Sequence, residues 1–204
     1  MAKLFDYNNP IWRFMGRIAD MFFLTILWLI CSIPIITIGA ATNAVYYITL
    51  KMVRNREEYI FRTFFRCFKE NFLSSTIIWI VLLAIGMVPV TGFCCLNYIE
   101  SPGAPILFWP LIVVTVLYLF TVTLVFPLSA RLDVKIGKLF FLTFMVQIKN
   151  FPWILLMLVT SVCAIALGIF VFWPILIIIV GSIAYIHALI LEYIIFPKYN
   201  WNEI

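Results

Sequence analysis

The chain has 204 residues and a formal net charge of +5. It is 65% hydrophobic, 18% aromatic and only 11% charged, with a mean hydropathy of +1.13. A soluble domain is nearer about half apolar and about a quarter charged, and one core of this size cannot hide so much apolar surface. A water-soluble globular protein is therefore excluded, and lipid is the solvent.

Charge spacing sharpens the argument. No Asp, Glu, Lys or Arg occurs in the 30 residues between Asp20 and Lys51, the 29 between Glu70 and Glu100, the 30 between Glu100 and Arg131, or the 42 between Lys149 and Glu192. A transmembrane helix needs about 20 mostly apolar residues, so the last gap holds two spans. The run after Asp20 is too long for the core of a cleaved leader, and SIPIIT is not a small-residue cleavage site.

In chain order, the N-terminal segment is basic, with Lys3, Arg13 and Arg17. The first span is expected at about Ile11 to Ile33 and the second at about Gly39 to Arg54. Ser32, Pro34, Thr37 and Gly39 supply the break, since proline removes a donor and restricts the residue before it. A single kinked span with an external N-terminus is the alternative. A basic loop follows, in which EEYIFRTFFRCFKENF sets Phe61, Phe64, Phe65, Phe68 and Phe72 at helical spacing, with Glu58, Arg62, Arg66, Lys69 and Glu70 on another face. That pattern is an amphipathic helix over about residues 57 to 70, supported by a Glu58–Arg62 pair one turn apart.

The third span covers about Phe72 to Asn97, and Pro102 and Pro105 mark the next loop. The fourth covers about Ile106 to Ala130. A second basic loop, with Arg131, Lys135, Lys138 and Lys149, holds a milder amphipathic segment at about 134 to 149, its stripe being Ile136, Leu139, Phe140 and Phe144. The fifth span covers about Phe151 to Leu167, and an uncharged turn from Gly168 to Pro174 leads to the sixth, about Ile175 to Phe196. Pro89 and Pro127 are expected to kink their helices, and Trp109, Trp153, Trp173 and Trp201 fall near interfaces. Lys and Arg accumulate on the cytosolic side, so both basic loops and both termini are read as cytosolic. This retention also accounts for the net charge, so nucleic acid is not expected as a partner. The fold class is an all-α polytopic bundle of six spans with two cytosolic amphipathic helices, forming a single membrane domain over residues 1 to 204.

At an offset of 79 residues Phe61 aligns with Phe140, Phe65 with Phe144, Asn71 with Asn150 and Phe72 with Phe151. Val125-Phe126-Pro127 is echoed by Ile195-Phe196-Pro197. These matches suggest units repeated in the same orientation, as in some transporter folds.

The catalytic inventory is thin. The five cysteines, Cys31, Cys67, Cys94, Cys95 and Cys163, are scattered and read as small hydrophobes. His187 is the one histidine, so no multi-His metal site exists. There is no phosphate-binding glycine loop and no Ser/His/Asp spacing. Neither enzymatic activity nor a cofactor is expected. Ionisable and polar groups inside spans are the default candidates for function. They are Asp20, Asn43, His187 and Glu192, with Arg13 and Arg17 as expected partners of Glu192. Asp20 is expected to pair with Arg17 or with a basic residue at the end of the second span. On the first amphipathic helix, Phe61, Arg62, Phe65, Arg66 and Lys69 form a candidate surface for lipid or for a protein partner.

Gly16, Asp20, Leu27-Trp28, Ser32, Pro34, Thr37, Ile38-Gly39-Ala40, Tyr46, Leu50, Tyr59, Phe64 and Phe68-Lys69 form a pattern that resembles the YesL family, most specifically in SIPIITIGAATNAVYYITLK. The likeness is best over the first 75 residues. It implies a bacterial inner-membrane protein of a family without an established activity, whose genes often neighbour carbohydrate importers and polysaccharide-degrading enzymes. On that basis the expected role is an accessory or coupling subunit of a carbohydrate-uptake system, contacting a cytosolic or membrane protein of it. A stand-alone small-solute transporter and a structural membrane protein are the alternatives.

Overall fold

The computed structural model describes the backbone at 10–54, 59–96, 104–170 and 176–199, and side chains within those ranges except at 10–14, 104–106 and 176. Lys3, Glu57, Glu58, Glu100, Pro102, Trp173, Trp201 and the side chain of Arg13 lie outside the described residues. The elements in order are α1 (Pro10–Cys31), α2 (Ile38–Val53), α3 (Ile60–Glu70), α4 (Phe72–Leu96), α5 (Ala104–Arg131), α6 (Ile136–Lys149), α7 (Phe151–Phe170) and α8 (Leu176–Ile190). A π-helical turn (Leu191–Ile195) and a 3₁₀ turn (Phe196–Tyr199) continue α8. No strand occurs among the described residues. Four segments are long and apolar enough to cross a membrane, Phe72–Leu96, Leu107–Arg131, Phe151–Phe170 and Ile177–Tyr199. That set is compatible with a multi-pass membrane protein; α1 and α2 are not in it. Helix α7 runs three residues past its expected end, so Gly168 lies inside a helix rather than in a turn.

The break between α1 and α2 is a hairpin bend, not a kink. Ser32 and Pro34 stop α1, and a short 3₁₀ turn at Ile35–Thr37 restarts the chain. Carbonyls left over at a helix end need donors. The Thr37 hydroxyl lies 2.5 Å from the Cys31 carbonyl and 2.7 Å from that of Pro34, and the Trp79 indole donates to the Ile35 carbonyl at 2.9 Å. Trp28 donates across the bend to Thr42 at 3.0 Å, which fixes α1 against α2 in opposite directions. Gly39 then lets α2 approach α4, where a Cβ would lie 2.6 Å from the Ser75 carbonyl oxygen and 2.6 Å from Trp79 Cβ.

The 79-residue offset recurs in the geometry. The Asn71 N–H bonds the Cys67 carbonyl at 3.0 Å, and Ser75 N–H bonds the Asn71 carbonyl at 2.9 Å. At the second joint the Asn150 N–H bonds Val146 at 2.9 Å, and Ile154 N–H bonds Asn150 at 3.2 Å. All three residues of the first joint map onto the second at the same offset. Each asparagine closes one helix and opens the next, because its side-chain amide reaches back to the same carbonyl its backbone caps, at 3.3 and 3.4 Å. The chain is thus two units of long helix, short helix and long helix, α2–α3–α4 and α5–α6–α7, with α1 and α8 added outside them.

Helix α8 is the most enclosed of the four span-length segments. It packs against α1, α2 and α7, and α1 makes its largest contact there. Gly181 permits the α1 approach, since a Cβ at that position would run into the backbone of Met21. Its amide also donates to Thr25 at 3.0 Å. Backbone atoms cannot be pushed aside as a side-chain tip can, so Gly181→Ala is expected to cost about 1–3 kcal/mol as an overpacking change. Gly137→Ala, where nothing lies within 4 Å, should be neutral or slightly stabilising. Thermal unfolding in detergent checks both. Equal midpoints for the two variants would contradict this account of the α1–α8 contact.

Candidate functional site along helix α8

Polar groups on α8 meet three other helices at successive levels. Ser182 donates to the Met21 sulfur at 3.7 Å, and Arg17 donates to the Tyr185 hydroxyl. His187 is buried and flanked by α2 and α7. Its Nδ1 is 2.9 Å from the Tyr46 hydroxyl, and its Nε2 is 3.0 Å from the Met157 carbonyl and 3.1 Å from Ser161 Oγ. A carbonyl only accepts, so Nε2 carries the proton and Nδ1 accepts from Tyr46. Ser161 in turn donates to the Met157 carbonyl at 2.9 Å. In this tautomer the imidazole nitrogen facing Ser161 is a donor and cannot take its proton. The Ser161–His187 contact is therefore not an activated nucleophile pair, for which the base must accept from the hydroxyl. Every hydrogen-bonding atom of His187 is satisfied, and α2, α7 and α8 are tied together by a neutral network.

Five residues further on, Glu192 lies in the first part of the π-helical turn, a feature often found at functional positions. Arg54, the C-cap of α2, donates from Nε to Glu192 Oε1 at 2.5 Å. Arg131, the last residue of α5, places Nη1 3.8 Å from the same oxygen, and its guanidinium lies over the Phe196 ring at 5.3 Å. The expected partner of Glu192 was an N-terminal arginine. The structure gives Glu192 to Arg54 and Arg131, and Arg17 to Tyr185, while the side chain of Arg13 lies outside the described residues. The reason is register: Arg17 lies level with Tyr185, seven residues before Glu192, whereas α2 and α5 both end beside Glu192. Side-chain exposures of 25%, 15% and 5% for Arg54, Glu192 and Arg131 leave the trio largely out of water. Two guanidiniums and one carboxylate leave an excess positive charge. The carbonyl ends of α2 and α5 each present about half a negative charge there, so the cluster is close to neutral.

The remaining candidates separate. Asp20 is half-buried one turn after Arg17, whose charge acts on it. Asn43 is buried elsewhere, donating to Ser75 at 2.6 Å between α2 and α4. Neither joins the α8 column. Phe61, Arg62, Arg66 and Lys69 are exposed on α3 and Phe65 is partly so, while Thr63, Phe64 and Cys67 are buried. The phenylalanine stripe is thus divided. Phe64 faces the core beside Cys67, whose thiol burial pushes up to about 11, and Phe61 faces outward. Tyr46, Ser161, Arg54 and Arg131 were not among the expected site residues. The signal for the arginines was their shared place, each the last charge before a loop in its own repeat unit.

The coupling should be measurable. Glu192→Gln and Arg54→Gln should each lower the unfolding midpoint, and the double variant should fall short of the sum by about 0.5–3 kcal/mol. Glu192→Gln combined with Arg17→Gln should be additive. Additivity in the first cycle with coupling in the second would return Glu192 to the N-terminal arginine.

The sequence pattern of a family described as a protein of unknown function, DUF624, matches residues 21–93, which include Asn43, Tyr46, Arg54 and Ser75 but neither His187 nor Glu192. The uncharacterized protein YesL of Bacillus subtilis (strain 168) is 23% identical over 174 residues, covering 83% of this chain and 82% of its own length. No solved structure matches. Together the two sequence matches support assignment of the chain to the YesL family.

Proposed function

We propose that the chain crosses the cell membrane six times, with both termini in the cytosol, and acts as an accessory or coupling subunit of a solute-uptake system. The family resemblance suggests carbohydrate as the solute. The observation that carries this reading is the outer face of α3, where Arg62, Arg66 and Lys69 are exposed and recur one turn apart. The same helix is anchored by Phe64 and Cys67, both essentially inaccessible. A rigidly held cationic face suits an acidic protein surface better than a mobile loop would, because less side-chain and backbone entropy is lost on binding. Catalysis is not part of the proposal.

A second reading, a stand-alone small-solute transporter, is favoured by the two like-oriented units with polar groups between them. Parallel repeats of this kind surround the substrate site in some transporters. Uptake by the protein reconstituted alone would select this reading over the first.

Two measurements test the proposal. For topology, a cysteine at Asn8 should be protected from an impermeant thiol reagent applied outside, and one at Glu100 should be labelled. Labelling at Asn8 would reject the hairpin as a pair of crossings. For docking, Arg62→Lys with Arg66→Lys keeps the charge but removes the planar forks that grip carboxylates. It should reduce recovery of a cross-linked cytosolic partner several-fold with membrane insertion unchanged. Recovery of no partner with the natural chain, even after cross-linking in cells, would end the coupling reading.

A further inference from the structure

Helices α3 and α6 hold the same place in the two repeat units, yet their outer faces differ in kind. On α6, Phe141, Phe144, Met145 and Ile148 are all exposed, Phe141 by 62% and Ile148 by 66%. Their spacing puts them on one stripe of the helix. The opposite side, with Leu139, Thr143, Val146 and Gln147, is buried. At the offset of 79 the outer stripe corresponds, residue by residue, to Arg62, Phe65, Arg66 and Lys69 of α3. Three cations in one unit are thus three apolar side chains in the other. The same place in the repeat thus carries a face of mixed cations and phenylalanine in one unit and a wholly apolar stripe in the other.

From this contrast we infer that the outer face of α6 is a bilayer-embedded surface, covered by phospholipid acyl chains, with Lys138 reaching the phosphates at its edge. Three observations favour lipid as the occupant. First, α6 folds back along α5 so that Gln147 donates to Thr121 at 2.9 Å. Thr121 lies within a span-length apolar segment, ten residues before its end. Second, the exposed apolar surface does not stop at the Asn150 joint. It continues into α7 through Phe151, Leu155, Leu156 and Val159, all exposed on a segment apolar enough to cross a membrane. Third, no charged residue lies within the stripe, while exposed Lys138 flanks it on one side. A lysine in that position extends its stem along apolar surface and keeps the ammonium at the headgroups. The inference goes beyond the docking role of α3 and confines that role to α3.

The test places a spin label in turn at positions 141, 144 and 148, and at 62, 66 and 69 for comparison. The carrier is a chain whose five cysteines are replaced, reconstituted in phospholipid vesicles. Labels on α6 should collide with oxygen several-fold more often than with a water-soluble nickel complex, and labels on α3 should show the reverse. Nickel access at 144 and 148 would put α6 in water and overturn the inference. Shielding from both probes would mean that protein covers the face, and would overturn it too. Because the cysteine replacements could disturb folding, a second experiment uses the otherwise unaltered chain with a photoreactive phenylalanine analogue at position 144. Irradiation in membranes should yield phospholipid adducts, detected by mass. Adducts to a second copy or another protein, or no adduct, would refute lipid as the occupant. The α3 docking reading can fail in its own co-purification test without affecting either result.

Discussion

A carboxylate held largely out of water must be neutralised where it stands, and Glu192 is neutralised by the ends of two different helices. A lone buried charge costs several kcal/mol or more, so α2 and α5 must end beside α8 for Glu192 to be tolerated at all. Arg54 and Arg131 are each the terminal side chain of their helix, and each also sits against that helix's own negative end. The result is a local balance of charge. It ties both repeat units to a helix that belongs to neither. Together with the neutral His187 network one and a half turns away, it sets where α2, α5 and α7 stand around α8.

What the sequence made legible followed from composition and local chemistry. Charge-free runs located the long helices to within a few residues, because hydrophobic length is a one-dimensional property. Pro34 with Ser32 and Thr37 marked the hairpin, because helix stops are chemical and local. The paired asparagines at 71 and 150 announced the repeat. Partner choice was not legible. Glu192 was matched to arginines at the other end of the chain because charge patterning put both on the same expected side of a membrane. Which arginine meets a carboxylate depends on which helices pack side by side, and neither hydropathy nor charge asymmetry carries that information.

The same limit explains α3 and α6. Periodicity exposed an apolar stripe on each, but a stripe seen along one helix does not say whether it faces protein or lipid. Five phenylalanines of α3 and its joint looked alike in sequence. Packing divides them, with Phe64 inside and Phe61 outside. His187 carries a related lesson. Alone among apolar residues it invited a functional reading. The Met157 carbonyl, a backbone acceptor that no side-chain pattern can reveal, settles the tautomer and makes the histidine a structural bolt.

The π-helical turn after α8 acts on the phase of the helix. In an α-helix residues four apart stack and residues five apart diverge by about 140°. The Phe196 amide bonds the carbonyl of Leu191, five residues back, which widens the turn by one residue. Leu191, Ile195 and Phe196 are all fully buried as a result, and the Phe196 ring comes to lie beneath Arg131. A helix shorter by that one residue would keep nearly every side chain and still rotate Phe196 away from the guanidinium it supports. The position of the arginine is therefore recorded in the length of the chain as much as in its lettering, and single-residue insertions and deletions there have an outsized structural reach.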